Sequence, residues 1–184
     1  MSDAEDHVRG FLEALGASPG ADTELEHTPA RFAELMGELF GGLHEEPPSV
    51  SVFETPADTI DPVVIAGLEF KSMCVHHLVP FFGTIDVAYI PGDHIIGFGS
   101  VGRLVEYYAR RPQLQERMVE QIADHLEREL APKGLLVRCG ARQMCMELRG
   151  AKKRGWLTTT TSRGVLREGG LRQEVLHRFE QARG

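Results

Sequence analysis

Residues 72–81, SMCVHHLVPF, place one thiol and two imidazoles within four positions, and an apolar run follows at once. A second thiol, Cys145, lies far downstream. Thiolate and imidazole are the ligands that zinc prefers, and three protein ligands with one open position are typical of catalytic zinc. We therefore predict that Cys74, His77 and Cys145 bind zinc, with the second imidazole, His76, beside the metal.

Two other interpretations of these residues stay open at the level of spacing. Cysteines are often small buried apolar residues, and a local cluster of Cys and His only suggests a metal site. A structural zinc site is the other interpretation, and it predicts four protein ligands. Candidates for the fourth ligand are His76 and Cys139, because Cys139 precedes Cys145 by an even number of residues and would share its face of a regular strand.

Length and composition describe an ordinary globular protein. The chain has 184 residues, of which 42% are apolar and 26% charged, so one domain with a substantial core is expected. A net charge of -7 disfavours nucleic acid and anionic membranes as main partners, and no apolar run is long enough to cross a bilayer. The acidic first residues do not match a signal peptide, and three cysteines argue against a disulfide framework, so we expect a cytoplasmic protein.

The hydrophobic pattern alternates between helical and strand periodicity. It predicts helices and strands in the order helix 3–16, helix 28–40, strand 63–72, strand 79–90, helix 100–110, a helix after residue 112 that ends near 132, strand 135–148, strand 158–161 and helix 171–182. The turn at residues 91–93 predicts a hairpin into residues 94–97. We expect an α+β fold with an antiparallel sheet, divided into an N-terminal helical region (1–48) and a catalytic domain (49–184).

Several separated motifs occur along the chain in this order: HTPAR (27–31), SMCVHH (72–77), PFFG (80–83), VAYIP (87–91), GRLV (102–105), ARRPQLQER (109–117), CMELRG (145–150) and TTTTS (158–162). Together they resemble the GTP cyclohydrolase I family over about residues 28–180. The resemblance implies a tunnelling fold (T-fold), in which an antiparallel sheet carries helices on one face. It also implies ring-shaped oligomers, a homodecamer of two pentamers, with active sites between subunits.

The same resemblance implies a zinc-dependent hydrolase of a guanine nucleotide. Zinc on Cys74, His77 and Cys145 would supply hydroxide near neutral pH, and this hydroxide would attack C8 of the guanine ring. Formate would then leave and a dihydropterin ring would close. His76 matches a histidine that transfers protons near the substrate, a role that suits imidazole.

The resemblance also implies a set of substrate-binding residues. Glu116 matches the glutamate that holds the N1–H and 2-amino edge of guanine, with Gln115 beside it. Arg31, Arg103 and Arg149 match arginines that reach the triphosphate, whose oxygens suit guanidinium groups. Read without the family, Glu116 is a solvated acid in the first turn of a helix, and the three arginines are surface charges.

The chain departs from the family pattern at several positions. Gln143 stands where a catalytic histidine is usual, and an amide does not carry protons. Val75 replaces a glutamate, and Gly99-Ser100 stands where a Ser-Lys pair is usual, which leaves Ser100 as an uncharged substrate-binding candidate. Glu34 occupies a position that can be basic in relatives. These changes predict intact zinc binding and guanine recognition, with weaker triphosphate binding and weaker later chemistry.

Three hypotheses follow. In the first, which we favour, the protein converts GTP to 7,8-dihydroneopterin triphosphate and formate. In the second, it is a diverged relative that stops at the ring-opened formamide, or takes a less phosphorylated or different purine. In the third, it is a non-catalytic, ring-shaped zinc protein.

Overall fold

A computed structural model describes residues 3–56 and 61–182. Six α-helices and seven strands lie in these ranges. In chain order they are α1 (Asp3–Ala14), α2 (Thr28–Leu39), β1 (Val52–Glu54), β2 (Val63–Cys74), β3 (Pro80–Ile90), β4 (His94–Ile96), α3 (Phe98–Ala109), β5 (Pro112–Gln113), α4 (Gln115–Leu130), β6 (Gly134–Gln143), α5 (Met144–Glu147), β7 (Leu157–Gly164) and α6 (Gly170–Gln181). A 3-10 turn, Gly41–Leu43, follows α2.

Five strands form the main sheet in the order β5-β2-β3-β6-β7. All neighbours are antiparallel except β5, which pairs in parallel with Met73 and Cys74 at the end of β2. A β-bulge interrupts β2 between Ile65 and Leu68, where Gly67 has a φ of +75° that favours glycine. The bulge lets the Gly67 N–H reach the Asp86 carboxylate on β3 at 2.9 Å.

The main core lies between the sheet and two helices. Residues of β3 such as Ile85 and Val87 are fully buried against α3 and α4, where Leu104 and Ile122 contribute to the same cluster. The apolar residues of α4 recur every fourth position, which gives one buried helix face. The helix ends at Ala131 in a left-handed conformation, directly before a proline.

The C-terminal helix packs against the other face of the sheet. Val175 and Phe179 of α6 join Ala88, Ile90 and Leu136 in a second buried cluster. The α+β class with an antiparallel sheet and two long helices on one face is therefore confirmed, and α6 adds a layer at one end of the opposite face.

Two local predictions were wrong. The turn after β3 does not form a β3–β4 hairpin, because β4 pairs with β1 in a separate two-stranded sheet, with Phe53 opposite Ile95. The strand predicted over 135–148 ends at Gln143, and Cys145 lies on the short helix α5. Among the residues described, no helix combines the length and apolar character needed to span a membrane.

Candidate active site

Cys74 and His77 are brought together by a tight turn at the end of β2. The N–H of Leu78 donates to the Cys74 carbonyl at 2.8 Å, and the N–H of Cys74 donates to the Val79 carbonyl at 2.9 Å. Leu78 has a φ of +49°, so the chain reverses within a few residues. The reversal puts His77 Nδ1 3.9 Å from Cys74 Sγ.

Cys145 reaches the same place from β6. Gln143, the last residue of β6, pairs with Phe81 of β3, and α5 begins directly after it. The ligand atoms of Cys74, His77 and Cys145 all lie within 4.8 Å of one another, and within the described ranges no other trio of His, Cys, Asp or Glu does so. Cys139 is buried in the main core and is not part of this group.

The three side chains fit a zinc ion. Zinc bond lengths of 2.0–2.3 Å place tetrahedral ligand atoms roughly 3.5 Å apart, close to the 3.9 Å between Cys74 and His77. Burial raises the pKa of the Cys145 thiol, and the neighbouring Cys74 raises that pKa further. Because zinc binds thiolates, metal binding must displace protons from this pair.

One imidazole and one guanidinium group lie beside His77. His76 is exposed, and its ring centroid lies 6.1 Å from that of His77. Arg149, also exposed, contacts His77 Nε2 through Nη1. The structure therefore brings His76 and Arg149 to the edge of the candidate metal site.

The start of α4 contacts the end of β6, close in sequence to Cys145. Gln143 Nε2 donates to Gln115 Oε1 at 2.8 Å, which connects the strand before Cys145 with the first residue of α4. Gln115 is only 3% exposed, and the next residue, Glu116, is exposed. Gln115 and Gln143 thus lie together, and Glu116 follows them on the surface.

Three substrate-binding candidates lie elsewhere on the subunit. Ser100 and Arg103 occupy the first turns of α3. It is the other end of α3 that lies near Cys74, because the last residue, Ala109, accepts a hydrogen bond at 2.6 Å from Oγ of Ser72, two residues before Cys74. Nine residues of helix separate Ser100 from Ala109, which is about 13 Å at 1.5 Å per residue. Ser100 and Arg103 are therefore remote from the Cys-His cluster of their own subunit. Arg31 is exposed on α2, and no hydrogen bond among the described residues connects it with that cluster.

Sequence reasoning missed one contact beside the metal site. Arg142 donates two hydrogen bonds to Glu147, at 3.0 Å from Nε and 2.5 Å from Nη2. These bonds connect the residues before and after Cys145 and so stabilise α5. Arg142 lowers the pKa of the Glu147 carboxyl through these hydrogen bonds. The two residues lie on either side of a strand-to-helix junction, so no periodic pattern in the sequence indicates that they meet.

Comparison with known proteins decides the family. The family model described as GTP cyclohydrolase I matches residues 4–180. The chain belongs to the GTP cyclohydrolase I family. It is thus a member of an enzyme family, and the resemblance seen in the sequence motifs is confirmed.

Relatives in this family align over nearly all of the chain. GTP cyclohydrolase 1 of Streptococcus pyogenes serotype M49 (strain NZ131) is 44% identical over 178 residues, covering 94% of this chain and 90% of the relative. GTP cyclohydrolase 1 of Streptococcus thermophilus (strain CNRZ 1066) is 45% identical over 168 residues, with 89% and 88% covered. A solved structure, archaeosine synthase QueF-Like in the apo form, is similar with a TM-score of 0.43 and 12% identity, covering 58% of this chain and 96% of that chain.

Proposed function

We propose that this member of the GTP cyclohydrolase I family is zinc-dependent and converts GTP to 7,8-dihydroneopterin triphosphate and formate. The observation that carries the proposal is the cluster of Cys74, His77 and Cys145, whose ligand atoms lie within 4.8 Å of one another in a chain of this family. Three protein ligands match the catalytic arrangement of zinc, which keeps one position for water or substrate. This arrangement favours the enzyme over a closed structural site.

Zinc, when bound to these three residues, supplies Lewis-acid activation of water near neutral pH. The chain's own side chains would then handle the substrate. His76, exposed beside His77, is placed to transfer protons to and from the opening ring. The Glu116 carboxylate, exposed at the start of α4, can accept two hydrogen bonds from the N1–H and 2-amino edge of guanine.

Triphosphate binding requires more than one subunit in this proposal. Arg149 contacts His77 within the subunit, but Ser100 and Arg103 lie at the far end of α3. We therefore assign Arg103 and Arg31 to the site of a neighbouring subunit, where guanidinium groups would bind phosphate oxygens. Ser100 is only 2% exposed and would act by holding Arg103 through a hydrogen bond.

Strand edges without a hydrogen-bonded neighbour among the described residues support assembly into a ring. Among the strands described, β7 pairs only with β6, and β5 covers only Met73 and Cys74 of the outer edge of β2. Exposed edges of this length are prone to pair with other chains, and closing a ring of subunits would remove them. We propose a ring of subunits on this basis, and the resemblance to the family implies that the ring is a pentamer and that two rings form a homodecamer.

A second candidate function is favoured by Gln143. Its amide hydrogen-bonds Gln115 at 2.8 Å and does not exchange protons as a histidine would. If the missing proton transfer limits the later steps, the protein would release the ring-opened formamide, or would act on a less phosphorylated or different purine.

One incubation separates these candidates. Zinc-loaded protein is mixed with GTP, products are followed by mass spectrometry, and formate is assayed in parallel. Dihydroneopterin triphosphate with formate is the expected result. Ring-opened formamide without formate would support the second candidate, and no product from GTP, GMP or guanosine would refute both.

A further inference from the structure

Gln115 and Gln143 form a hydrogen-bonded pair whose orientation is fixed by the sheet. Gln115 Nε2 lies 3.2 Å from the Cys139 carbonyl, 3.0 Å from the Leu157 carbonyl and 3.1 Å from Thr159 Oγ1. Backbone carbonyls only accept hydrogen bonds, so the nitrogen end of the Gln115 amide must face β6 and β7. Its oxygen end is thereby directed to Gln143.

The orientation of Gln143 follows from that of Gln115. Gln115 Oε1 can only accept, so the Gln143 atom at 2.8 Å must be the donor Nε2. Gln115 is 3% exposed, which keeps water from competing for this bond. The remaining Gln143 group, the carbonyl Oε1, is held in one direction as an acceptor.

The pair connects two parts of the candidate site. Gln115 is the first residue of α4, directly before Glu116, whereas Gln143 ends β6, two residues before Cys145. A hydrogen bond between them therefore fixes the guanine-binding end of α4 relative to the metal-binding end of β6. Chemistry at guanine C8 depends on that relative position, because small displacements of reacting groups reduce rates strongly.

We propose that Gln115 is a positioning residue, which acts on the reaction by holding the Gln143 amide in place and does not itself recognise guanine. This inference rests on the proposed function and deepens it. It predicts that Gln115 and Gln143 act as one unit in turnover. Loss of either amide should lower kcat by roughly tenfold, the typical effect of one neutral hydrogen bond, and should leave KM for GTP within about twofold.

A double-mutant cycle tests this unit. Methionine is close to glutamine in size and shape but has no amide, so Gln115→Met, Gln143→Met and the double variant are compared with the unmodified protein. The expected kcat of the double variant equals that of either single variant, because the second substitution has nothing left to remove. The same four proteins are compared by their free energies of unfolding in urea, and coupling there reports the hydrogen bond independently of turnover.

Gln121→Met is the matched control. Gln121 lies on the same helix, and its Oε1 accepts an amide hydrogen bond from Gln113 Nε2 at 2.9 Å. Its loss removes the same kind of bond from α4 without touching Gln143, so kcat should stay unchanged. Zinc content is measured for every variant and should remain at the level of the unmodified protein.

Each outcome has a distinct meaning. Coupling in both unfolding and kcat supports the inference. Coupling in unfolding with independent, multiplying effects on kcat would make the bond merely structural and overturn it, as would a large rise in KM for Gln115→Met. If the unmodified protein does not turn over GTP, the proposed function fails and the inference fails with it, whereas an active protein with independent effects overturns the inference alone.

Discussion

Removing the carboxylate of Asp86 should be among the most destabilising single changes in this protein. Asp86 is fully buried and accepts hydrogen bonds at 2.9 Å from both the Gly67 N–H and Arg138 Nε. The Arg138 side chain is 10% exposed, and its Nη2 is buried without a hydrogen-bond partner among the described residues. Asp86→Ala would leave this guanidinium with Glu180, whose side chain is 65% exposed and screened by water. Removing one partner of a buried ion pair lowers the free energy of unfolding by about 3–5 kcal/mol.

The cost is measured as the change in unfolding free energy in urea, at one protein concentration because an oligomer's stability depends on it. For a chain of this length the midpoint temperature should fall by roughly 10 °C. Glu180→Gln is the exposed control and should cost less than about 1 kcal/mol. The double variant Asp86→Ala, Arg138→Met should be more stable than Asp86→Ala alone, since both charges are gone. A loss below about 1 kcal/mol for Asp86→Ala, or a double variant weaker than it, would refute the reasoning.

Three further predictions concern the site and the response to pH. Cys145→Ala should lose its zinc, measured by atomic absorption, whereas Cys139→Ala should keep it; equal zinc contents would refute the ligand assignment. Glu116→Gln should raise KM for GTP by roughly ten- to hundredfold in steady-state assays, because a charged acceptor for two guanine N–H groups is lost, and an unchanged KM would exclude this contact. Burial, and secondarily the nearby Arg128, lower the pKa of His125. The stability that neutral His125 contributes is therefore complete above the unfolded-state pKa of about 6.5, and it is lost as the pH falls through the lower, folded-state pKa. His125→Gln should flatten this pH dependence of unfolding, while the exposed His94→Gln should leave it as steep as before.

The parts of the site that are local in sequence were predictable. Cys74 and His77 are three residues apart and are joined by a turn, so their proximity depends on few distant contacts. Cys145 was grouped with them through ligand chemistry and the family motif, and the structure places the three side chains together, although Cys145 lies on a short helix and not on a strand. Loose alternation of apolar residues does not specify where β6 ends, because residues of a single helical turn satisfy the same pattern.

Contacts between distant segments were harder to predict. The turn after β3 indicates that the chain reverses but not which strand β4 joins, and its partner β1 precedes it by about forty residues. The Gln115–Gln143 bond depends in the same way on how α4 lies across β6 and β7. Amide side chains carry no periodic signal, so their pairing is visible only once the tertiary arrangement is known.

Two of the residues that depart from the family pattern, Ser100 and Gln143, form hydrogen bonds with neighbouring side chains. Ser100 Oγ accepts hydrogen bonds at 3.0 Å from the Ser51 N–H and at 3.0 Å from Arg103 Nη2, just as Gln143 is held by Gln115. In the proposed function, losing a charged phosphate contact at position 100 would cost on the order of 1.5–3 kcal/mol, whereas ordering one long side chain on binding costs about 0.5–1.5 kcal/mol. Holding Arg103 in place through Ser100 would then offset part of the loss, but not all of it. Ser100 orients its neighbour, whereas Gln143 is oriented by its neighbour, so in both cases the property of the site depends on the pair and not on the substituted residue alone.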